Sequence, residues 1–112
     1  MSVSRVVVTG LGVVSPLGVG VELNWRRLLD NYCGIGPLDE TDYTGIPCRV
    51  AGRVPMSSET NTQDGSLNFS NYFTRMSDLK PLSLASAFAL VAAQEAIEQS
   101  QVNIHLYLKL SN

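Results

Sequence analysis

The sequence predicts an α/β arrangement built from the first strand and helix elements of a layered sheet. Three observations carry that expectation. A β-branched run, Val6-Val7-Val8, leads into a glycine-rich loop. An amphipathic helical stretch follows directly. Later, residues 84–97 are apolar around almost the whole helical circumference. A continuous valine run suits a strand covered on both faces, as in parallel sheets. A helix apolar on all sides expects neighbours on all sides.

In chain order, Gly10, Gly12, Gly18 and Gly20, with Pro16, make the loop after the first strand unsuited to regular structure. Pro16 also holds Ser15 in an extended conformation. A helix is predicted over 21–30, because Val21, Trp25, Leu28 and Leu29 fall at i, i+4, i+7 and i+8. Trp25 is expected to pack on the sheet that contains Val6 to Val8. Asn24, Arg26 and Arg27 take the other side, and Asn31 and Gly34 can end the helix. Residues 33–44 hold turn formers. Residues 48–54 read as a second strand, with Cys48, Val50 and Gly52 on one side. Residues 56–70 have the composition of a mobile surface loop. Tyr72, Phe73, Met76 and Leu79 mark a short helical turn that Pro81 stops. Ser83 can cap a second helix through about Ser100. Residues 102–110 then alternate, with Val102, Ile104, Leu106, Leu108 and Leu110 against polar partners. That is the period of a half-buried strand whose edge could recruit other chains.

Composition narrows the function. With 112 residues there is room for one small domain at most. Charged residues make up 16%, against about 25% in an average soluble domain. So little polar surface fits either a piece of a larger domain or a slightly apolar soluble domain, and composition does not separate them. A net charge of −2 lacks the clustered cations of a nucleic-acid footprint. No segment approaches the roughly 20 apolar residues of a membrane span. Neither a secretory signal nor a mitochondrial presequence is visible, since only Met1 to Ser4 precede the strand. Cys33 and Cys48 form no CxxC pair, so zinc is unsupported and both are expected as reduced, partly buried thiols.

No catalytic constellation is visible. Nucleophilic catalysis needs a cysteine or serine with a base held near it. The single histidine, His105, lies on the polar side of the last strand, and Cys33 follows a helix C-terminus, where the dipole disfavours a thiolate. Gly10-x-Gly12-x-x-Ser15 suggests a dinucleotide site. That chemistry needs a helix starting inside the glycine turn, and here Ser15 to Gly20 intervene. No residue is singled out for a cofactor or a metal.

Val8-Thr9-Gly10-Leu11-Gly12-Val13-Val14-Ser15-Pro16-Leu17-Gly18, followed by Trp25 and Leu28-Leu29, resembles the opening of the β-ketoacyl-acyl-carrier-protein synthases. Cys33-Gly34-Ile35 stands where that family has Ser-Gly-Ile. Ile46-Pro47-Cys48-Arg49-Val50-Ala51 is most similar to the mitochondrial branch. Asn71 to Ser77 and Ala92-Ala93-Gln94-Glu95-Ala96 continue the likeness, which covers residues 3 to about 100.

The resemblance implies a thiolase-like fold of layered helix and sheet, usually a homodimer, here limited to its first elements. It implies transfer of an acyl chain to a cysteine, decarboxylation of malonyl-carrier protein, and Claisen condensation assisted by two histidines. None of those three residues has a counterpart here. Cys33 and Cys48 match non-catalytic positions, and His105 lies outside the similar region. Arg75 and Lys80 fall where the family carries cations that meet the acidic acyl-carrier protein. A mitochondrial location, with the cytoplasm as alternative, follows from the same likeness. Residues 1–101 are thus expected to be family-like and 102–112 a divergent tail, as in a truncated or alternatively spliced product. Three functions remain open: part of a 3-oxoacyl-carrier-protein synthase, a non-catalytic product that pairs with other chains, and a small nucleotide-binding α/β protein.

Overall fold

The computed structural model describes residues 2–39, 43–58 and 62–103. Two short antiparallel hairpins and two α-helices organise them. β1 (Val14–Ser15) pairs with β2 (Gly18–Val19) in a tight hairpin, with Val14 opposite Val19. The loop read as unsuited to regular structure therefore contains a hairpin, because Gly18 supplies the φ of 129° that this reversal needs. α1 (Val21–Leu29) follows, and Asn31 ends it at φ 57°. A left-handed Asn just past the last turn is a common helix stop.

β3 (Ile35–Pro37) pairs with β4 (Val50–Gly52), and Gly36 faces Ala51. The strand expected over 48–54 is thus shorter, and its partner lies among the turn formers of 33–44. Close approach explains the glycines here. A Cβ on Gly34 would stand 2.8 Å from Pro16 Cβ, and one on Gly52 would stand 3.0 Å from Pro16 Cγ. The second hairpin therefore leans on the tip of the first.

The described ends of the segment read as a mobile loop are tied together instead. Leu67 is among the most buried side chains, its N–H donates to Pro55 O at 2.7 Å, and its carbonyl accepts from Ser57 N at 2.8 Å. Two 3₁₀ turns follow, at Phe69–Asn71 and Met76–Leu79. α2 (Leu84–Ser100) starts where Ser83 Oγ accepts the Ser86 N–H, as the sequence predicts.

The core is thin. Among the described residues the buried apolar side chains are Leu67, Ala87 and Val91. Phe69 stacks on Phe88 with ring centroids 6.1 Å apart and meets Phe73 edge-on. α2 buries only the stripe through Ala87 and Val91, and Leu84, Leu90 and Ile97 stay exposed. Three expectations are corrected by burial. Val6, Val7 and Val8 are exposed and pair with no strand among the described residues. Trp25 is 62% exposed, not packed on a sheet. Cys33 and Cys48 are both exposed rather than partly buried. The common reason is that a valine strand gains burial only from flanking strands and layers, which the described residues do not supply. No helix among them is long and apolar enough to cross a membrane. The strand predicted over 102–110 lies almost wholly outside the described residues, and so does His105.

Candidate functional site

The densest polar arrangement surrounds the glycine loop and the start of α1. Residues 10–13 lie directly against α2, because Gly10 and Gly12 have no side chains. A Cβ on Gly12 would overlap the carbonyl oxygen of Ala92, and one on Gly10 that of Ala96. The close approach lets α2 side chains accept backbone hydrogens that a strand would otherwise take. Leu11 N donates to Gln99 Oε1 at 2.6 Å, and Val13 N donates to Glu95 Oε2 at 3.0 Å. The second carboxylate oxygen of Glu95 accepts the Val21 N–H at 2.8 Å. Val21 is the first residue of α1, whose N-cap, Gly20, has no side chain to offer. Glu95 thus does the capping from another helix, where the N-terminal dipole favours a negative charge.

Asn24 holds the other side of this loop. It is 7% exposed, and its Nδ2 donates to Gly18 O at 2.9 Å and Gly20 O at 2.8 Å. Its Oδ1 accepts the Ser15 hydroxyl, and Ser15 Oγ in turn accepts the Leu17 N–H at 3.0 Å. Arg27 donates to Leu17 O and, at 2.9 Å, to Asp64 O. Among the described residues no buried side-chain nitrogen or oxygen lacks a partner.

The network decides against a dinucleotide site. A pyrophosphate would need free amides at the glycine turn and helix start. Here the Leu11, Val13 and Val21 amides are taken by Gln99 and Glu95. The glycines serve contact between backbone segments of the same chain.

Arg75 and Lys80 bracket the 3₁₀ turn Met76–Leu79 as its two caps, and both are exposed. Asp78 N donates to Arg75 O at 3.0 Å and Lys80 N to Ser77 O at 3.3 Å. One turn therefore carries both cations, with exposed Met76 and the carboxylate of Asp78 between them. Such a patch can steer an acidic partner, and Asp78 lowers its net charge.

The two thiols bond backbone carbonyls and not a base. Cys33 Sγ lies 3.8 Å from Ile35 O and Cys48 Sγ 3.2 Å from Val50 O, each thiol donating to a backbone carbonyl two residues on. No group of three metal-ligating side chains occurs among those residues. An open, mostly apolar groove of about 430 Å³ runs between Tyr72, Phe73, Leu90 and Ile97. Burial, then the carboxylates of Glu95 and Glu98, hold the Tyr72 phenol above its usual range. A second, mostly apolar groove, about 460 Å³, lies between α1 and residues 11–17, lined by Leu11, Leu17, Val21, Asn24, Trp25 and Leu28.

Asn24 and Glu95 were not singled out from the sequence. The available signal was Ala92, Ala96 and Ser100 at intervals of four on a helix, matching two glycines elsewhere.

Residues 3–107 match the family model described as "Beta-ketoacyl synthase, N-terminal domain", so the match runs on past Gln101 into the segment read as divergent. The chain is 34% identical over 111 residues to the mitochondrial 3-oxoacyl-[acyl-carrier-protein] synthase of Arabidopsis thaliana, covering 87% of this chain and 22% of that protein. It is 31% identical over 101 residues to 3-oxoacyl-[acyl-carrier-protein] synthase 2 of a Synechocystis strain, covering 90% of this chain and 22% of the relative. The synthase 2 of Vibrio cholerae is 30% identical over 105 residues, covering 94% and 23%. The chain spans about a fifth of the length of the curated relatives it matches.

Proposed function

The chain belongs to the β-ketoacyl synthase family, and from that premise we propose that it is the N-terminal portion of a mitochondrial-type 3-oxoacyl-acyl-carrier-protein synthase. The reaction is the joining of an acyl unit, held as a thioester, to malonyl-carrier protein. Carbon dioxide leaves, and the new carbon–carbon bond gives a 3-oxoacyl-carrier protein. The observation that carries the reading is the family match over residues 3–107. The role of these residues is architectural. Glu95, Gln99 and Asn24 fix the glycine loop and the start of α1, while the condensing cysteine and its two histidines come from elsewhere in the synthase. Arg75 and Lys80 contribute to the surface that meets the acidic carrier protein.

The 112-residue chain alone should therefore yield no 3-oxoacyl product from acyl- and malonyl-carrier protein. Turnover by the purified chain that disappears in Cys33→Ala or Cys48→Ala would overturn this. Carrier-protein contact is tested by titrating labelled carrier protein in low and high salt. Arg75→Ala with Lys80→Ala should weaken any association severalfold at low salt and make little difference at high salt.

A second reading, a non-catalytic chain that pairs with others, is favoured by one observation. Trp25, Leu28 and Leu29 stand exposed together on α1.

A further inference from the structure

The second hairpin and the start of α2 enclose a cavity that includes neither the glycine loop nor the Arg75 and Lys80 turn. The side chains that line its volume of about 340 Å³ are Tyr43, Arg53, Val54, Met56, Leu84 and Phe88. Its walls rest on anchored elements. β4 is paired with β3 along Val50–Gly52. Met56 bridges to Leu67, one of the most buried residues. Phe88 stacks on Phe69 at 6.1 Å, next to the buried Ala87. Small-molecule sites occupy about 300–1,000 Å³, and this cavity lies at the lower end of that range.

Charge and apolar surface are divided within it. Val54, Met56, Leu84 and Phe88 supply the apolar part, and Arg53 is the charged side chain among the lining residues. The guanidinium carbon of Arg53 lies 5.8 Å from the centroid of the Tyr43 ring. Contact with a ring leaves most of the guanidinium's N–H donors for an acceptor. The ion pair among the described residues joins Arg26 to Asp64, so Arg53 has no carboxylate partner there.

That division selects the ligand. A planar fork of donors fits a carboxylate through two parallel hydrogen bonds. One cation balances one negative charge, whereas a phosphate monoester brings about 1.5–2 at neutral pH. The apolar wall gives nothing to a bare inorganic anion and favours each CH₂ that it covers. We propose that this cavity binds a small monocarboxylate with a short apolar tail. Arg53 takes the carboxylate, the Tyr43 ring holds the guanidinium at the cavity, and the tail lies against Met56, Leu84 and Phe88. The site is separate from the proposed contact with carrier protein and does not depend on it.

The test titrates hexanoate into the 112-residue chain and follows the Met56 methyl and Phe88 ring signals by NMR. Saturable shifts at both are expected, with a dissociation constant on the order of 1 mM for a ligand of so few atoms. Acetate keeps the head without the tail, and hexylammonium reverses the charge. Each should bind about tenfold more weakly than hexanoate, or worse. Arg53→Leu keeps apolar bulk and should weaken hexanoate about tenfold. Arg53→Lys should recover part of that loss, since it restores the charge without the fork. Leu84→Ser, at an exposed position, should weaken binding about threefold through the tail. Arg49→Leu, on the same hairpin but outside the cavity, should bind like the parent. Equal binding by Arg53→Leu and the parent would overturn the proposal, as would acetate or hexylammonium binding as tightly as hexanoate. Hexanoate shifts that rise without saturating, or that miss Met56 and Phe88, would overturn it as well.

Discussion

On its inward side α1 sets Asn24 at 7% exposure inside a closed set of hydrogen bonds, while on its outward side Trp25 stands 62% exposed beside Leu28 and Leu29. Asn24 is buried and paired, while Trp25, Leu28 and Leu29 stand exposed alongside Glu22 and Arg26. The polar side is complete within the chain because its partners lie close in sequence, on α2, or, for Arg27, at Asp64. The apolar residues need area that the described residues do not provide. Local polar geometry and apolar burial are therefore separable here. The first fixes the shape of residues 10–31, and the second is not met among the described residues.

The largest effect should come from filling the contact between the glycine loop and α2. Gly12→Val puts atoms into the Ala92 carbonyl, which is backbone and cannot swing aside. Overpacking of this kind costs about 3 kcal/mol at its upper end. Urea unfolding of the variant should show that loss, and the Leu11 and Val13 amides should lose exchange protection. An unchanged midpoint would mean that residues 10–13 do not rest on α2.

Glu95→Ala should come next. It strands the Val13 and Val21 amides, each bonded to a charged group in the parent. Hydrogen bonds to charged groups contribute about 1.5–3 kcal/mol, and water can reach part of this site, so a loss of about 2 kcal/mol is expected. Glu95→Gln keeps one acceptor and should recover roughly half of that. If Glu95→Ala leaves the exchange of both amides untouched, the carboxylate is not the cap of α1.

The sequence announced the elements that depend on near neighbours. Ser83 and the run after it located α2 within a residue, and the spacing of Val21, Trp25, Leu28 and Leu29 located α1. The same spacing misplaced the burial of α1. An apolar stripe states which side wants cover, but not whether the cover is present. β3 escaped notice because Ile35-Gly36-Pro37 has turn composition and pairs only through its distant partner, Val50–Gly52. Leu67 was lost inside a polar segment, since one apolar residue gives no periodicity. Glu95 was legible as a family residue and not as a cap, because its two amide partners lie more than 70 positions away. Arg75 and Lys80 were named through the resemblance alone, and what the turn adds is their exposure at its two ends with Asp78 between them.

A smaller effect, confined to alkaline pH, should come from Tyr72 on the groove beside α2. Its phenol is held above the ordinary value of 10.0, first by burial and then by Glu95 and Glu98. A raised folded value means that the folded chain keeps the proton more firmly than the unfolded chain. The resulting stabilisation is present in full below pH about 10 and is lost as pH rises through the folded value. Melting curves from about pH 8 to about pH 11 should show the parent losing stability at the alkaline end more steeply than Tyr72→Phe. Parallel curves would remove Tyr72 from the influence of those carboxylates.

The smallest effect should come from Trp25→Ala in the isolated chain, although it removes the largest side chain of α1. Truncating a buried aromatic costs about 3–5 kcal/mol, because packing is lost and a cavity remains. Neither term applies to a ring that is mostly in water. The groove it borders is open, and the bonds of Asn24, which lines the same groove, run to Gly18 and Gly20 and not to the indole. Substitutions at exposed sites usually fall within about 0.5 kcal/mol, and a change of that size is expected in urea unfolding. The emission of Trp25 should also match that of a solvated indole and shift to the blue when a partner covers α1. A loss near 3 kcal/mol in the chain alone would show that the outward side is already covered. The contrast between the two sides of α1 would then fail, because both would be complete without a second polypeptide.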